Sequence, residues 1–187
     1  SEAYSAVSNY LPDLVVVGTH GKVGLKQNLF GSNIYKLVTK LPCSTLIVSD
    51  KTTPSSGGFK NVLIPVSAHK NYQNKVNATL DVLGTSGKIG IYSLNKPGVL
   101  SSDQVRENVK ATEARLQEVG VKCDYIQGDS SKFSIGYSKE SISLIEQNNS
   151  DCISILVSIS EEGMAFGKID KENLMLNDRG IPVLCVN

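Results

Sequence analysis

The chain has 187 residues, 40% of them hydrophobic, which suits a core of one domain or slightly more and excludes the disordered and fibrous classes. With 19 basic against 18 acidic side chains, the balance argues against a dedicated nucleic-acid surface. No apolar run reaches the about 18 residues of a membrane span, and the first thirty residues lack the basic, apolar, small-residue order of a signal peptide, so the cytoplasm is the expected location.

The first aliphatic run, "LVVV" at 14–17, reads as a strand and leads into "GTHGKVGLKQNLFGS" at 18–32. Small residues there permit left-handed turns and close approach, and the free N–H groups of a following helix would face an anion with the positive end of the helix dipole. Ser32 is a candidate cap for that helix, whose stripe Ile34, Leu37, Val38 and Leu41 faces a core and which Pro42 helps to end. A glycine-rich loop alone leaves two readings open: a phosphate cradle, or turn glycines followed by a cap. Strand runs continue at 45–48, 61–66, 88–94, 121–126, 152–157 and 182–186. Helical patterns start near 71, 138 and 168. The clearest covers 102–119, with Ser102 as cap, Gly120 as stop, and Val105, Val109, Thr112, Leu116 and Val119 on one stripe. Strands alternating with helices predict an α/β fold with a parallel sheet.

The two ends of the chain resemble each other. Asp13 and Asp151 lie 138 positions apart before similar aliphatic runs, and Pro42 and Pro182 lie 140 apart before the closing ones. An internal repeat of about one domain follows. Residues 59–187 are then a full unit of five strands, residues 1–50 the last two strands and last helix of a preceding unit, and 51–58 a linker whose Pro, Ser and Gly favour flexibility. The chain is expected to open mid-unit. The four cysteines, Cys43, Cys123, Cys152 and Cys185, are isolated, three of them inside strand runs, and read as buried free thiols.

From Asp13 to Val48, the pattern of Asp, aliphatic strand, GxxG, nine residues, GS, helix, Pro-Cys and closing strand resembles the carboxyl-terminal signature of the universal stress protein family. "FKNVLIPVSAHK" is similar to that family's first strand and loop. The resemblance implies a five-stranded parallel, doubly wound sheet and, in the ATP-binding branch, a loop that holds ribose and phosphates, with magnesium accompanying the ATP. By position that role falls to Gly18, Gly21, Gly31 and Ser32, with Thr19 and His20 lining the loop. It also implies tandem units and pairing through the fifth strands, here 45–48 against 182–186, within the chain or in a homodimer.

The second unit departs from the pattern. Ser67 stands where ATP-binding members usually carry an acidic residue. Offsets of 140 and 138 carry the positions of Gly18, Gly21, Gly31 and Ser32 to Ser158, Glu161, Lys171 and Glu172, or to Leu156, Ile159, Ile169 and Asp170. No glycine returns, and carboxylates there would repel a triphosphate. The second unit therefore reads as structural. The first holds half a site. Micromolar affinity needs about 8 kcal/mol net of an association cost of about 4–15 kcal/mol. A helix terminus supplies about 0.3–2 kcal/mol and two or three charge-assisted hydrogen bonds about 1.5–3 kcal/mol each, so negligible ATP affinity is expected of this chain alone.

If the fifth strands pair antiparallel, the sheet ends at 14–17 with an apolar, β-branched edge, which is expected to be covered by another protomer or by a separate copy of the missing segment. Catalysis has little support. His20 and His69 have no partnered nucleophile, Lys22 and Lys26 read as solvating the loop, and no nucleophile elbow, zinc or Walker motif occurs. Slow ATP hydrolysis would be the most to expect. The alternative to a nucleotide-binding regulator is a scaffold of the same family acting through dimerisation and protein contacts. A flavoprotein branch would need flavin contacts that nothing in the sequence suggests.

Overall fold

The computed structural model describes residues 2–19, 31–53, 56–95, 101–129, 137–157 and 167–187. Among them every predicted strand forms: β1 (Leu14–Gly18), β2 (Ser44–Val48), β3 (Phe59–Pro65), β4 (Leu83–Asn95), β5 (Lys122–Asp129), β6 (Cys152–Leu156) and β7 (Val183–Val186). The helices are α1 (Glu2–Tyr10), α2 (Gly31–Val38), α3 (Tyr72–Val82), α4 (Asp103–Glu118), α5 (Ser138–Gln147) and α6 (Lys168–Met175). Residues 1–50 thus hold two helices where the periodicity predicts one. In "EAYSAVSNY" Val7 is the one branched aliphatic residue and Tyr10 is 85% exposed, so α1 has almost no apolar stripe to read.

The strands form one sheet in the order β1-β2-β7-β6-β3-β4-β5. Neighbours are parallel except β2 and β7, which pair antiparallel. Within β3–β7 the chain runs outward from β3 in both directions, which makes the β3–β6 boundary the point where strand order reverses. Central strands carry nearly continuous apolar runs, as buried parallel strands do: every residue of β6 and β7 is buried, Ser154 included. At the sheet's end, Val16 of β1 is 60% exposed.

The antiparallel pair is self-complementary. Leu46 lies opposite Leu184, with Thr45 opposite Cys185 and Ile47 opposite Val183. Leu46 and Leu184 are themselves 138 positions apart, as are Leu14 and Cys152 at the starts of β1 and β6. An approximate two-fold axis therefore passes through the Leu46–Leu184 pair. α2 lies against α6, where the Lys168 ammonium sits 5.6 Å from the centre of the Tyr35 ring. One hydrophobic cluster joins Ile34, Tyr35, Val38 and Ile47 to Leu63, Ile153 and Val183, so both ends of the chain share a core.

Polar contacts lock this junction. The Asn187 amide donates to the carbonyls of Leu41 at 2.7 Å and Val38 at 3.1 Å. The connection after β2 has a composition that favours flexibility, but its described part is tied down. Thr52 Oγ1 donates to the Gly180 carbonyl and Lys51 Nζ to that of Asp178, both at 2.9 Å. Gly180 has φ +73°, and a Cβ there would stand 2.6 Å from the Lys51 carbonyl oxygen. The approach of the connection is what requires glycine.

α4 follows its sequence signals, with Ser102 Oγ accepting from the Val105 N–H at 3.3 Å and Val109, Thr112 and Leu116 buried. Val119 departs from the predicted stripe: it lies past the last helical residue and is 42% exposed. Cys152 and Cys185 are buried and Cys43 and Cys123 half-buried, all as free thiols. Burial pushes the thiols of Cys152 and Cys185 far up, and burial, then Glu113 and Asp124, pushes Cys123 up to about 11.

Candidate functional site

β1 and β2 are parallel in register from Leu14↔Ser44 to Gly18↔Val48, and α2 is the helix between them. A helix between two parallel strands must run back against them, so the end of β1 at Gly18 and the amino end of α2 share the carboxyl edge of the sheet. That edge is where open α/β sheets hold ligands. Thr19 continues the ladder by donating its N–H to the Val48 carbonyl at 2.8 Å, and its side chain is buried. At Gly18 an added Cβ would meet no atom of the described residues within 4 Å.

Gly31 and Ser32 are the first two residues of α2. Ser32 is therefore inside the helix rather than the cap before it. The first turn of α2 carries no acidic residue, and Lys36 lies in its last turn, so side-chain charge leaves the amino end attractive to an anion. Ile34, Val38 and Leu41 are buried as the stripe predicts, together with Tyr35, which it leaves out. The structure thus places Gly18 and Thr19 at the end of β1 and Gly31 and Ser32 at the start of α2. His20, Gly21, Lys22 and Lys26 lie outside the described residues.

The corresponding place after β6 is built from different groups. α6 starts at Lys168, and the match of α2 to α6 (Gly31 to Lys168, Val38 to Met175) is an offset of 137, one less than for the strands. Lys168 and Ile169 then stand opposite Gly31 and Ser32. Gly167 is the residue before the helix, a glycine that neither sequence register finds. Asp170, in the first turn, is buried and its Oδ1 accepts from the Ser138 N–H at the start of α5 at 3.0 Å. Lys171 beside it is 3% exposed. Of the positions expected to repel phosphate, Asp170 thus serves the fold by holding the amino end of a neighbouring helix, and Glu161 lies outside the described residues.

Around the carboxyl end of β3 the protein's own donors fill the space. Lys75 Nζ donates to the Pro65 carbonyl at 2.6 Å and lies 4.7 Å from the centre of the Tyr72 ring. Asn108 Nδ2 donates to the Ser67 carbonyl at 2.7 Å, and Ser67 Oγ accepts from the His69 N–H at 3.4 Å. His69 Nδ1 accepts from the Asn71 N–H at 3.0 Å, which makes it a loop brace. Lys75 and Asn108 escape the sequence reading. The signal for Lys75 was available, since Tyr72, Lys75, Val76 and Thr79 form one helical stripe that a lysine interrupts, and all four are buried.

Comparison with known proteins agrees with this architecture. Residues 5–49 match the model of the Universal stress protein family. No curated protein matches the chain by sequence. Among solved structures, a universal stress protein from Archaeoglobus fulgidus superposes with a TM-score of 0.67 at 14% identity, covering 100% of this chain and 64% of its own. A functionally unknown protein from Pseudomonas aeruginosa PAO1 does so with a TM-score of 0.60 at 14% identity, covering 99% of this chain and 66% of its own. The chain therefore spans just under two thirds of the length of each of these two structures. No helix among the described residues is long and apolar enough to cross a membrane. Over residues 5–49 the chain is similar to the universal stress protein family, and its fold is a mixed α/β sheet like that of the universal stress protein from Archaeoglobus fulgidus.

Proposed function

We propose that this chain is part of a cytoplasmic stress-response protein built from tandem units, and that its loop 18–32 is the phosphate-holding side of an ATP site. Gly18, Gly21, Gly31 and Ser32 supply backbone donors and close approach, Thr19 and His20 line the loop, and magnesium accompanies the ATP. The observation that carries the reading is the contrast between two loop stems. At 18–32 glycines meet an α2 amino end without acidic side chains, whereas at α6 Lys168 opens the helix and Asp170 and Lys171 are buried in its first turn. Residues 59–187 then serve as scaffold.

The site is one-sided in this chain. β6 has β3 beside it, which completes a crevice where strand order reverses. β1 ends the sheet, so ATP should bind this chain with Kd above about 1 mM, equivalent to less than about 4 kcal/mol. Saturation-transfer NMR with ATP tests the reading: weak saturable binding that disappears in Gly31→Asp, with an unchanged melting curve, supports it. Signal that survives the substitution overturns it, and micromolar binding contradicts the one-sided site. The scaffold reading, in which self-association or another protein contact is the function, draws support from the exposed β1 edge and predicts that Gly31→Asp changes nothing.

A further inference from the structure

β5 lies at the end of the sheet away from β1, with β4 alone beside it among the described residues. All eight of its residues pair with β4 in one unbroken register, from Lys88↔Lys122 to Asn95↔Asp129. It carries neither a proline nor a bulge, the backbone features that stop a further strand from adding to an edge. Charge is the other common guard of such an edge. β5 has both signs, and their spacing decides what the edge accepts.

Successive side chains of a strand point to opposite faces. Val121, just before β5, and Cys123 pack against the cluster that holds Ile89, Ile91, Val109 and Leu116, which puts them and Tyr125 on the α4 face. Val121 and Cys123 are half-buried there, and Tyr125 is 39% exposed with its hydroxyl 2.8 Å from Ser93 Oγ. Lys122 and Asp124 take the opposite face. Lys122 is exposed, and the Asp124 carboxylate, 43% exposed, meets Lys88 Nζ at 3.1 Å.

From these observations we infer that β5 pairs antiparallel with β5 of a second copy of this chain, about a two-fold axis at Cys123, so that two sheets join edge to edge. Lys122 of each copy then lies opposite Asp124 of the other. On the α4 face Val121 lies opposite Tyr125, a branched aliphatic against an aromatic, and Cys123 opposite its own counterpart. Pairs of both kinds stabilise an antiparallel ladder. The two neighbouring registers that keep the faces matched centre on Lys122 or on Asp124, and each sets a charge against its own copy, so charge selects the Cys123 register. A contact of one strand per copy is small, which makes the dimer weak and concentration-dependent. It is separate from the β2–β7 pair inside the chain and does not depend on nucleotide binding.

Sedimentation equilibrium of the full chain at low salt tests this, with Lys122→Asp and Asp124→Lys as separate variants. Wild type should dimerise with Kd below about 1 mM. Lys122→Asp sets carboxylates against carboxylates and Asp124→Lys ammoniums against ammoniums, so each variant alone should dimerise at least about tenfold more weakly. Mixed one to one, the two variants again oppose unlike charges and should associate within about threefold of wild type, which also shows that both are folded. In wild type, amide hydrogen exchange over residues 121–127 should slow as concentration rises. A wild type that stays monomeric at about 1 mM overturns the inference. So does a dimer indifferent to both substitutions, a mixture that recovers nothing while both variants keep the wild-type circular dichroism, or a dimer whose exchange protection leaves β5 unchanged.

Discussion

The segments β1–α2–β2 and β6–α6–β7 follow the same path and meet across an approximate two-fold axis, yet one is buried in the sheet and the other ends it. What separates them is their neighbours. β6 lies between β3 and β7 with every residue buried, while among the described residues β1 has β2 alone beside it and leaves Val16 60% exposed. The helix starts differ in the opposite sense. The buried segment carries a carboxylate and an ammonium at its helix start, and the edge segment carries glycines. The proposed ligand-holding residues thus stand at the edge segment, and Asp170, which holds the amino end of α5, stands at the buried one.

The largest expected break in this comparison is Ile153→Ala in β6. It removes a fully buried side chain and should cost about 2–5 kcal/mol by urea denaturation. Next is Gly180→Ala, which forces a Cβ against the Lys51 carbonyl at positive φ. It should cost about 2–3 kcal/mol, and hydrogen exchange should quicken at Thr52 as the connection detaches. Asp151→Ala removes the carboxylate that accepts from the Lys60 and Asn61 N–H groups at the start of β3 and should cost about 1–3 kcal/mol, whereas Asp13→Ala should stay within about 0.5 kcal/mol in this chain alone. Equal costs for the two aspartates would dissolve the distinction between a filled and an open edge.

A pH effect sharpens the same picture of the core. Cys123, pushed up to about 11, and Cys152 and Cys185, pushed further by burial, keep their protons in the folded chain, whereas unfolded thiols lose theirs near 9. The unfolded state then binds fewer protons, so stability falls as pH rises from 9 toward 11. The urea midpoint should drop across that window, and Cys123→Ala should flatten part of the drop.

Much of the fold was legible because its signals are local. Aliphatic runs bounded by turn residues marked every strand, and Ser102 with Gly120 bracketed α4. α1 was not legible, since a short, serine-rich helix on the surface has no apolar period to display. Of the residues singled out by glycine spacing, Gly18 and Thr19 fall at the end of β1 and Gly31 and Ser32 at the start of α2, while His20 and Gly21 lie outside the described residues. The roles of Lys75, Asn108 and Asp170 were not readable, because each depends on a carbonyl or N–H brought close from a different element.

By itself the sequence determined the strands of the described residues and their order along the chain, the offset that relates β1 and β2 to β6 and β7, and the places of Gly18 and Gly31 at the end of β1 and the start of α2. These follow from side-chain period and from what a backbone without Cβ can do. The tertiary structure alone decided that Asp151 holds two successive N–H groups at the start of β3, and that Lys51 and Thr52 are tied to the Asp178 and Gly180 carbonyls. Those outcomes depend on which strand lies alongside, and two nearly equal local sequences acquire different neighbours only when the whole sheet has assembled.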